Sequence, residues 1–417
     1  MVATDEWVSA LRGYAERLHA RAGPCHHVVS PLGAWIVVAL CAPLAGADAR
    51  GELAKVLGGD PTSAATFAAE LLADPHPLVA AGAGLWVRRG VETARIAQWR
   101  AALPAAIDTG DLPSQEAIDR WVADRTLGLI ERFPIDLAPE VVCLLASALA
   151  TRVSWEVPFD VVDATALGPS PWSTRLRRVL RSPRRDPRHR QYLVATERAG
   201  TVGVHLTGAR GGLLVGSVIA ADEGVPAADL LATAEQIVTS EARETGSVAR
   251  ISLFDLPLGD GPVWSISEEQ VDTIAPDGRD EQVVAVLPAW SARTDLDLGD
   301  DDALGFPVAG RSLAQALELG AWRQSARQAA IARYSAIGFE AAAVTALATA
   351  VSGRVSRPGR RRDATVRFAH PFAVVAAASG ARQAPRARPV PSAWHGLPVF
   401  SVWVSEPADA GASPPEP

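Results

Sequence analysis

A run of small side chains near the C-terminal end places the strongest restriction on what this chain can fold into. Residues 338–352 read GFEAAAVTALATAVS, with one charge, Glu340, and no proline. Because alanine has the highest helix propensity, the run taken alone favours an alanine-rich helix. Small residues without proline also suit a segment that packs as a strand in one state and is mobile in another. The rest of the chain decides between these two interpretations.

The composition is that of a large globular protein without a disulfide framework. The chain has 417 residues and a net charge of −7, so it can bury a large core and has no global attraction to nucleic acid. Three scattered cysteines, Cys25, Cys41 and Cys143, form no C-x-x-C motif, and we expect buried thiols. Histidine clusters, hydrolase motifs and a Walker A motif are missing too, so the sequence predicts no metal, no cofactor and no enzyme activity.

The first fifty residues indicate neither export nor a membrane span. Residues 1–20 have the apolar stripe of an amphipathic helix and lack the basic start of a signal peptide. Residues 28–47 are uncharged, but two prolines interrupt them, which favours a buried helix beginning after Ser30-Pro31. We therefore predict no membrane contact and a cytoplasmic location.

Helical patterns come first along the chain and strand patterns follow, which predicts one α+β domain. The clearest helix covers residues 114–132, and an apolar run at 141–150 predicts a strand buried on both faces of a large sheet. Residues 161–290 have the pattern of short strands separated by turns. We expect one domain over residues 1–407 and a disordered tail over residues 408–417.

Short motifs follow one another in a consistent order over most of the chain. They are Val29-Ser30-Pro31, Ile118–Val122 with Thr126–Ile130, Ser147–Phe159, Leu287-Pro288-Ala289-Trp290, Gly338–Ala346, and Phe368–Phe372 with Phe400 and Pro407. In this order and spacing they resemble the sequence of a serpin, in a divergent and bacterial form. The resemblance implies a single α+β domain with a large central β-sheet, two smaller sheets, about eight helices and an exposed reactive loop over about residues 338–367.

The resemblance also implies a function. In inhibitory serpins a protease cleaves the reactive loop, whose upstream part inserts into the central sheet and carries the trapped enzyme with it. We therefore expect a monomeric inhibitor of serine endopeptidases that acts as a suicide substrate, with cysteine proteases as alternative targets. Since many serpins are extracellular, that location stays open beside the cytoplasmic one.

The loop's functional positions carry over from the family's motif. The hinge corresponds to Gly338, Phe339, Glu340, Ala341, Ala342, Ala343, Val344 and Thr345. Counting from the hinge places the scissile bond between Ser352 and Gly353, with Arg354 as the alternative. The family's sheet-opening region corresponds to Ser30, Gly33, Ser147, Gln328 and Trp155.

Two features depart from the family's pattern. Phe339 stands where Thr or Ser is usual, and a Phe that faces the interior of an inserted strand costs about 1–3 kcal/mol unless the core makes room. Two arginine-rich segments, 175–190 and 354–362, are the second feature. Such runs are usually solvated loops, but they leave open a non-inhibitory serpin-like protein that binds a polyanion or a protein partner.

Overall fold

The structure, a computed structural model, describes most of the chain: residues 2–151, 154–209, 211–245, 249–338, 357–379 and 392–410. Within these ranges most helices come from the first third of the chain and most strands from the remainder. None of the helices described is both long enough and apolar enough to cross a membrane.

Nine α-helices fall within the described ranges, against about eight expected. They are α1 (Val2–Ala22), α2 (Pro31–Cys41), α3 (Ala47–Leu57), α4 (Pro61–Ala73), α5 (Ala94–Ala102), α6 (Gln115–Arg125), α7 (Pro171–Arg175), α8 (Ala227–Arg243) and α9 (Phe306–Ala316).

Most strands of the same ranges lie in the C-terminal two thirds of the chain. The first nine are β1 (His27–Val29), β2 (Val79–Val87), β3 (Ile107–Asp111), β4 (Cys143–Thr151), β5 (Asp160–Asp163), β6 (Arg178–Arg181), β7 (His189–Thr196), β8 (Gly200–Ala209) and β9 (Leu213–Ala220). The others are β10 (Arg250–Ile251), β11 (Gly259–Asp260), β12 (Trp264–Thr273), β13 (Arg279–Leu287), β14 (Trp290–Asp297), β15 (Arg327–Tyr334), β16 (Arg357–Arg367), β17 (Phe372–Ala378) and β18 (Pro398–Val404).

These strands form four sheets, of which the largest has seven strands in the order β1-β18-β17-β9-β8-β7-β10. A six-stranded sheet has the order β11-β12-β16-β13-β6-β5, and the rest form a three-stranded sheet, β3-β2-β4, and a two-stranded sheet, β14-β15. The expected α+β fold with a large sheet and smaller sheets is confirmed. The strand expected inside a large sheet at residues 141–150, however, is β4, which lies at the edge of the three-stranded sheet.

Helix α2 is almost completely buried and begins where the sequence predicts. Ser30 is its N-cap, and Pro31 occupies the first turn, where the missing N–H has no partner to lose. Trp35 and Ile36 are fully buried. Because the helix contacts both β18 and β4, it connects the seven-stranded sheet with the three-stranded one.

Two helices differ from the expectation. α6 ends at Arg125, earlier than predicted, because Leu127 and Gly128 adopt left-handed backbone conformations (φ 57° and 77°). α8 lies inside residues 161–290, where only strands were expected. Its buried side chains recur at helical spacing from Leu230 to Val238 and pack on the seven-stranded sheet, so a helical signal was present.

The folded chain extends past the start of the expected disordered tail. Ala408 N–H donates to the Ala289 carbonyl at 2.7 Å, and Ala410 N–H donates to the Arg178 carbonyl at 3.0 Å. The expected tail therefore starts too early, and its other residues, 411–417, lie outside the described ranges.

Candidate functional site between two strand edges

Strands β4 and β15 line a gap without pairing to each other, which we call the strand gap. In the part of the chain that the structure describes, β4 pairs with β2 and β15 pairs with β14. Both strands contact the start of α2, through Ser147 in the middle of β4 and Gln328 near the start of β15. Beyond the C-terminal ends of both strands, Ser154 forms a bridge with Gly338. The two strands therefore run in the same direction. Within the described ranges no ladder occupies the facing edges of β4 and of residues 327–332, so a further strand can pair there.

The structure brings four of the residues assigned to sheet opening together at the lower end of the strand gap. Ser30 N–H donates to Gln328 Oε1 at 3.0 Å, and Gln328 Nε2 donates to the Ser30 carbonyl at 2.8 Å. From β4, the Ser147 hydroxyl donates to the Gly33 carbonyl at 2.7 Å. The first turn of α2 thus holds both strands, and we call these three bonds the lower clamp.

Gly33 allows β4 to approach α2 closely. A Cβ atom on Gly33 would lie 3.1 Å from Ser30 Oγ and 3.4 Å from Leu149 Cδ1, so a methyl group there requires the neighbours to shift. The buried Ser30 hydroxyl also donates to the Val399 carbonyl at 3.0 Å. The lower clamp is therefore attached to β18 as well.

A cavity of about 350 Å³ occupies the lower part of the strand gap. It is lined by β4, α2, α9 and the segment that enters β15, largely through apolar side chains such as Val37, Leu149 and Leu313. The Gln324 Oε1 atom beside it is buried without a hydrogen-bond partner among the described groups. Since protein interiors are close-packed, an opening of this size between two strands has room for additional chain.

Trp155, the fifth residue assigned to sheet opening, lies at the upper end of the strand gap. Its Nε1 donates to the Ser335 carbonyl at 2.8 Å, and its ring lies 4.8 Å from that of Tyr334. Phe159 N–H donates to the Ala336 carbonyl at 2.8 Å. These bonds join the segments that follow β4 and β15 and hold the upper end closed.

Polar groups that the sequence did not single out are buried behind Trp155. Tyr334, His205, Thr207 and Ser217 each have a side-chain atom without a well-formed hydrogen bond in the described structure. Burial raises the pKa of Tyr334 and lowers that of His205 far below its ordinary value, so both are neutral. A signal existed, because polar residues inside the otherwise apolar β8 and β9 are costly to bury.

The loop segment leaves the upper end of the strand gap at Gly338. Gly338 has φ 83°, a left-handed conformation that favours glycine, and its carbonyl accepts from the Ser335 hydroxyl at 2.5 Å. The other hinge and scissile-bond residues lie outside the described ranges: Phe339, Glu340, Ala341, Ala342, Ala343, Val344, Thr345, Ser352, Gly353 and Arg354.

The downstream end of the expected reactive loop is a strand. Residues 357–367 form β16, which pairs antiparallel with β12 and parallel with β13. The expectation of an exposed loop as far as residue 367 is therefore wrong. Long pairing with β12, which begins at Arg357 opposite Thr273, incorporates the arginine-rich residues into the six-stranded sheet.

Carboxylates neutralise the arginines of β16. Glu268 accepts from Arg362 at 2.9 Å and from Arg360 at 3.3 Å, and Arg367 donates to Asp260 at 2.6 Å. The hydrogen bond from Arg362, with the charge of Arg360, holds the pKa of Glu268 below its ordinary value. This pairing gives the polyanion hypothesis no support.

The other arginine-rich segment, residues 175–190, is paired in the same manner and includes β6. Its ion pairs, with N–O distances from 2.5 to 3.5 Å, are Arg181–Asp160, Arg185–Asp280, Arg188–Asp186 and Arg190–Glu241. The charge of this segment therefore contributes to joining strands of the molecule.

Comparison with solved structures identifies the fold. Human thyroxine-binding globulin matches with a TM-score of 0.62 at 13% identity, over 98% of this chain and 100% of that one. The thermophilic serpin tengpin, in the native state, matches with a TM-score of 0.61 at 14% identity, over 97% of this chain and 94% of that one. Serpin48 of the insect Tenebrio molitor matches with a TM-score of 0.57 at 14% identity, over 96% of this chain and 98% of that one. By sequence, the chain matches no family model and no curated protein. The chain has the serpin fold, as the motifs indicated, while a bacterial source stays a prediction.

Proposed function

We propose that the protein inhibits serine endopeptidases as a suicide substrate, with cysteine proteases as a second target class. A protease cleaves the loop segment, residues 339–356, and the part upstream of the cut enters the strand gap as a new strand between β4 and β15. One observation carries the proposal: two edges run in the same direction around a cavity, and Gly338 lies at their shared upper end.

The direction of the two edges suits such a strand. A chain that turns at Gly338 runs back down the strand gap and is antiparallel to both neighbours, the arrangement with perpendicular hydrogen bonds on each side. At about 3.3 Å per residue, residues 339–351 reach about 40 Å, which exceeds the roughly 30 Å length of β4. The loop is therefore long enough to pair along the whole gap.

The composition of the loop is compatible with a complete ladder. Residues 339–352 contain no proline, and most of their side chains are small, so every residue can pair without a steric block. Each new backbone hydrogen bond contributes about 0.5–1.5 kcal/mol net, and about a dozen of them stabilise the inserted form strongly. That free energy is available to distort a protease still attached to the loop.

Formation of a complex that survives denaturation tests the proposal. The protein is incubated with subtilisin-like and trypsin-like serine proteases and with a papain-like cysteine protease, then resolved on denaturing gels. At least one enzyme is expected to give a band at the combined mass less the C-terminal fragment, and clean cleavage by all of them would overturn the proposal. N-terminal sequencing of the released fragment identifies the bond: Gly353 first for the Ser352 site, Val355 first for the Arg354 site.

A matched pair of variants separates insertion from mere loop cleavage. Because side chains alternate along a strand, residue 343 faces the interior of an inserted strand and residue 342 faces solvent. Ala343→Arg is expected to lose the stable complex while its loop is still cleaved, and Ala342→Arg is expected to keep it. Equal behaviour of the two variants contradicts insertion in this register.

A further inference from the structure

Four buried side chains join α1, β1, β18 and α8 in one polar chain, which we call the relay: His27, His19, Ser401 and Glu235. His27 Nδ1 lies 2.8 Å from the Cys25 carbonyl, and His27 Nε2 lies 2.7 Å from His19 Nδ1. His19 Nε2 lies 2.7 Å from Ser401 Oγ, and the Ser401 hydroxyl neighbours the Glu235 carboxyl. Three hydrogen bonds therefore lead from the backbone of a loop to Ser401, which lies beside a buried carboxyl group in the core.

The Cys25 carbonyl sets the direction of the relay. Because a carbonyl only accepts, His27 carries its proton on Nδ1 and accepts on Nε2. His19 then donates from Nδ1 and accepts the Ser401 hydroxyl proton on Nε2. Ser401 has no second proton for Glu235, so a hydrogen bond between these two groups requires a protonated carboxyl.

The surroundings of Glu235 favour the protonated form. Its carboxyl oxygens have no well-formed hydrogen bond in the described ranges, and the strands packed against α8, namely β9, β17 and β18, contain no titratable side chain. On α1, Arg12 and Glu16 act on it with opposite signs. Burial dominates and raises the pKa of Glu235 to about 8. At the other end of the relay, His26 is the titratable neighbour of His27.

We propose that the relay is a proton switch whose direction reverses when Glu235 ionises. The carboxylate then accepts the Ser401 hydrogen, Ser401 Oγ accepts from His19 Nε2–H, and His19 Nδ1 accepts from His27 Nε2–H. One proton leaves to solvent, both imidazoles change tautomer, and the Cys25 carbonyl loses its donor.

The reversal reaches the lower clamp through β1. His27 lies on β1, which leads directly into Ser30, and Val29 pairs with Ser401 across the ladder. Loss of the bond at Cys25 loosens the start of β1 and, with it, the residue that holds Gln328. The inference does not depend on the proposed function, since the relay exists whether or not the loop inserts.

Imidazole tautomers report the switch directly. Long-range proton–nitrogen correlation spectra of the intact ¹⁵N-labelled protein are recorded between pH 6.5 and pH 9.5. His19 and His27 are expected as Nδ1–H tautomers at the lower pH and as Nε2–H tautomers at the higher, with one shared midpoint. His189 and His205, which bond to each other at 3.1 Å elsewhere in the core, serve as internal controls and keep their tautomers. Unchanged tautomers of His19 and His27 across the range overturn the proposal.

Variants test whether loss of the Glu235 proton drives the tautomer change of His19 and His27. Glu235→Gln presents N–H donors to Ser401 at every pH, so neither relay histidine is expected to change tautomer. Glu241→Gln, on the same helix but bonded to Arg190 and Tyr192, is expected to keep the transition. If Glu235→Gln folds poorly, Ser401→Ala interrupts the relay at its middle and has the same expected effect. A wild-type transition in either relay variant contradicts the switch.

Discussion

At the scale of single residues, the lower clamp depends on very few side chains. Gln328 satisfies both the N–H and the carbonyl of Ser30, a residue that is 5% exposed. Buried backbone groups that lose a partner have no water to replace it. The lower clamp therefore contributes to stability mainly through the Ser30 N–H, since the Ser30 carbonyl also accepts from the Ala34 N–H.

Truncation of Gln328 tests this contribution. Gln328→Ala removes the partner of the buried Ser30 N–H and leaves the Ser30 carbonyl with the Ala34 N–H alone, at 3.2 Å. It is expected to lower the free energy of unfolding by about 1–3 kcal/mol in urea denaturation. Gln315→Ala, at an exposed position of α9, is the matched control and is expected to change little. Similar midpoints for both variants would show that the clamp contributes nothing.

Phe339 is the residue at which the proposed insertion begins. Phe339→Thr is expected to raise the fraction of protease that is trapped rather than released, because an overpacking cost of about 1–3 kcal/mol no longer opposes the first step. Titration of a target protease measures this fraction as the stoichiometry of inhibition. Val344→Thr, on the opposite face of the inserted strand, is the control, and an equal effect of both changes speaks against an interior Phe339.

At the scale of elements, β16 anchors the downstream end of the loop segment. Two ladders and the contacts of Glu268 with Arg360 and Arg362 hold this strand in the six-stranded sheet. Because β15 and β16 are both paired in sheets, residues 339–356 belong to the connection between two fixed strands. The proposed insertion thus draws on the upstream end of that segment.

Removal of the Glu268 charge tests the anchor. Glu268→Gln is expected to lower the melting temperature by a few degrees, more than Glu269→Gln, because Glu269 is more exposed (52% against 19%). The folded-state pKa of Glu268 is depressed, so its contribution is present above the unfolded pKa and disappears as the pH falls through the folded one. A difference from wild type that persists unchanged in strong acid contradicts this electrostatic origin.

Elements with local signals could be predicted from the sequence, and their partners could not. Ser30-Pro31 marks the start of α2, because a hydroxyl cap and an N-terminal proline act within one turn. The strand gap has no such signal, since β4 and β15 are far apart in sequence and an unpaired edge has the same side-chain pattern as a paired one. The arginines of β16 were assigned to a loop because their partners, such as Glu268, lie on a distant strand.

At the scale of the whole molecule, two buried groups whose pKa values are shifted in opposite directions make the free energy of unfolding depend on pH. Burial and the neighbouring His27 lower the pKa of His19 to about 3, so its contribution is lost as the pH falls from about 6.5 towards 3. Glu235 keeps a proton that the unfolded chain releases near 4.5, so its contribution is lost as the pH rises towards about 8. The two effects oppose each other between about pH 4.5 and pH 6.5, so together they place maximal stability in that range.

Denaturation at two pH values tests the Glu235 effect. Between pH 6.5 and pH 8 the free energy of unfolding of the wild type is expected to fall by up to about 1.4 kcal/mol per pH unit. Glu235→Gln has no proton to lose and is expected to show a smaller decrease over the same interval. Parallel curves for the two proteins contradict a protonated, buried Glu235.

The melting temperature after loop cleavage tests the central claim most directly. A protease that cuts between residues 339 and 356 without being trapped yields the cleaved protein, and thermal unfolding is compared with that of the intact chain. If the upstream segment pairs with β4 and β15, about a dozen new hydrogen bonds are expected to raise the melting temperature by more than about 10 °C. Cleaved Ala343→Arg is expected to show no such rise. An unchanged melting temperature for the cleaved wild type contradicts insertion into the strand gap and, with it, the inhibitory function.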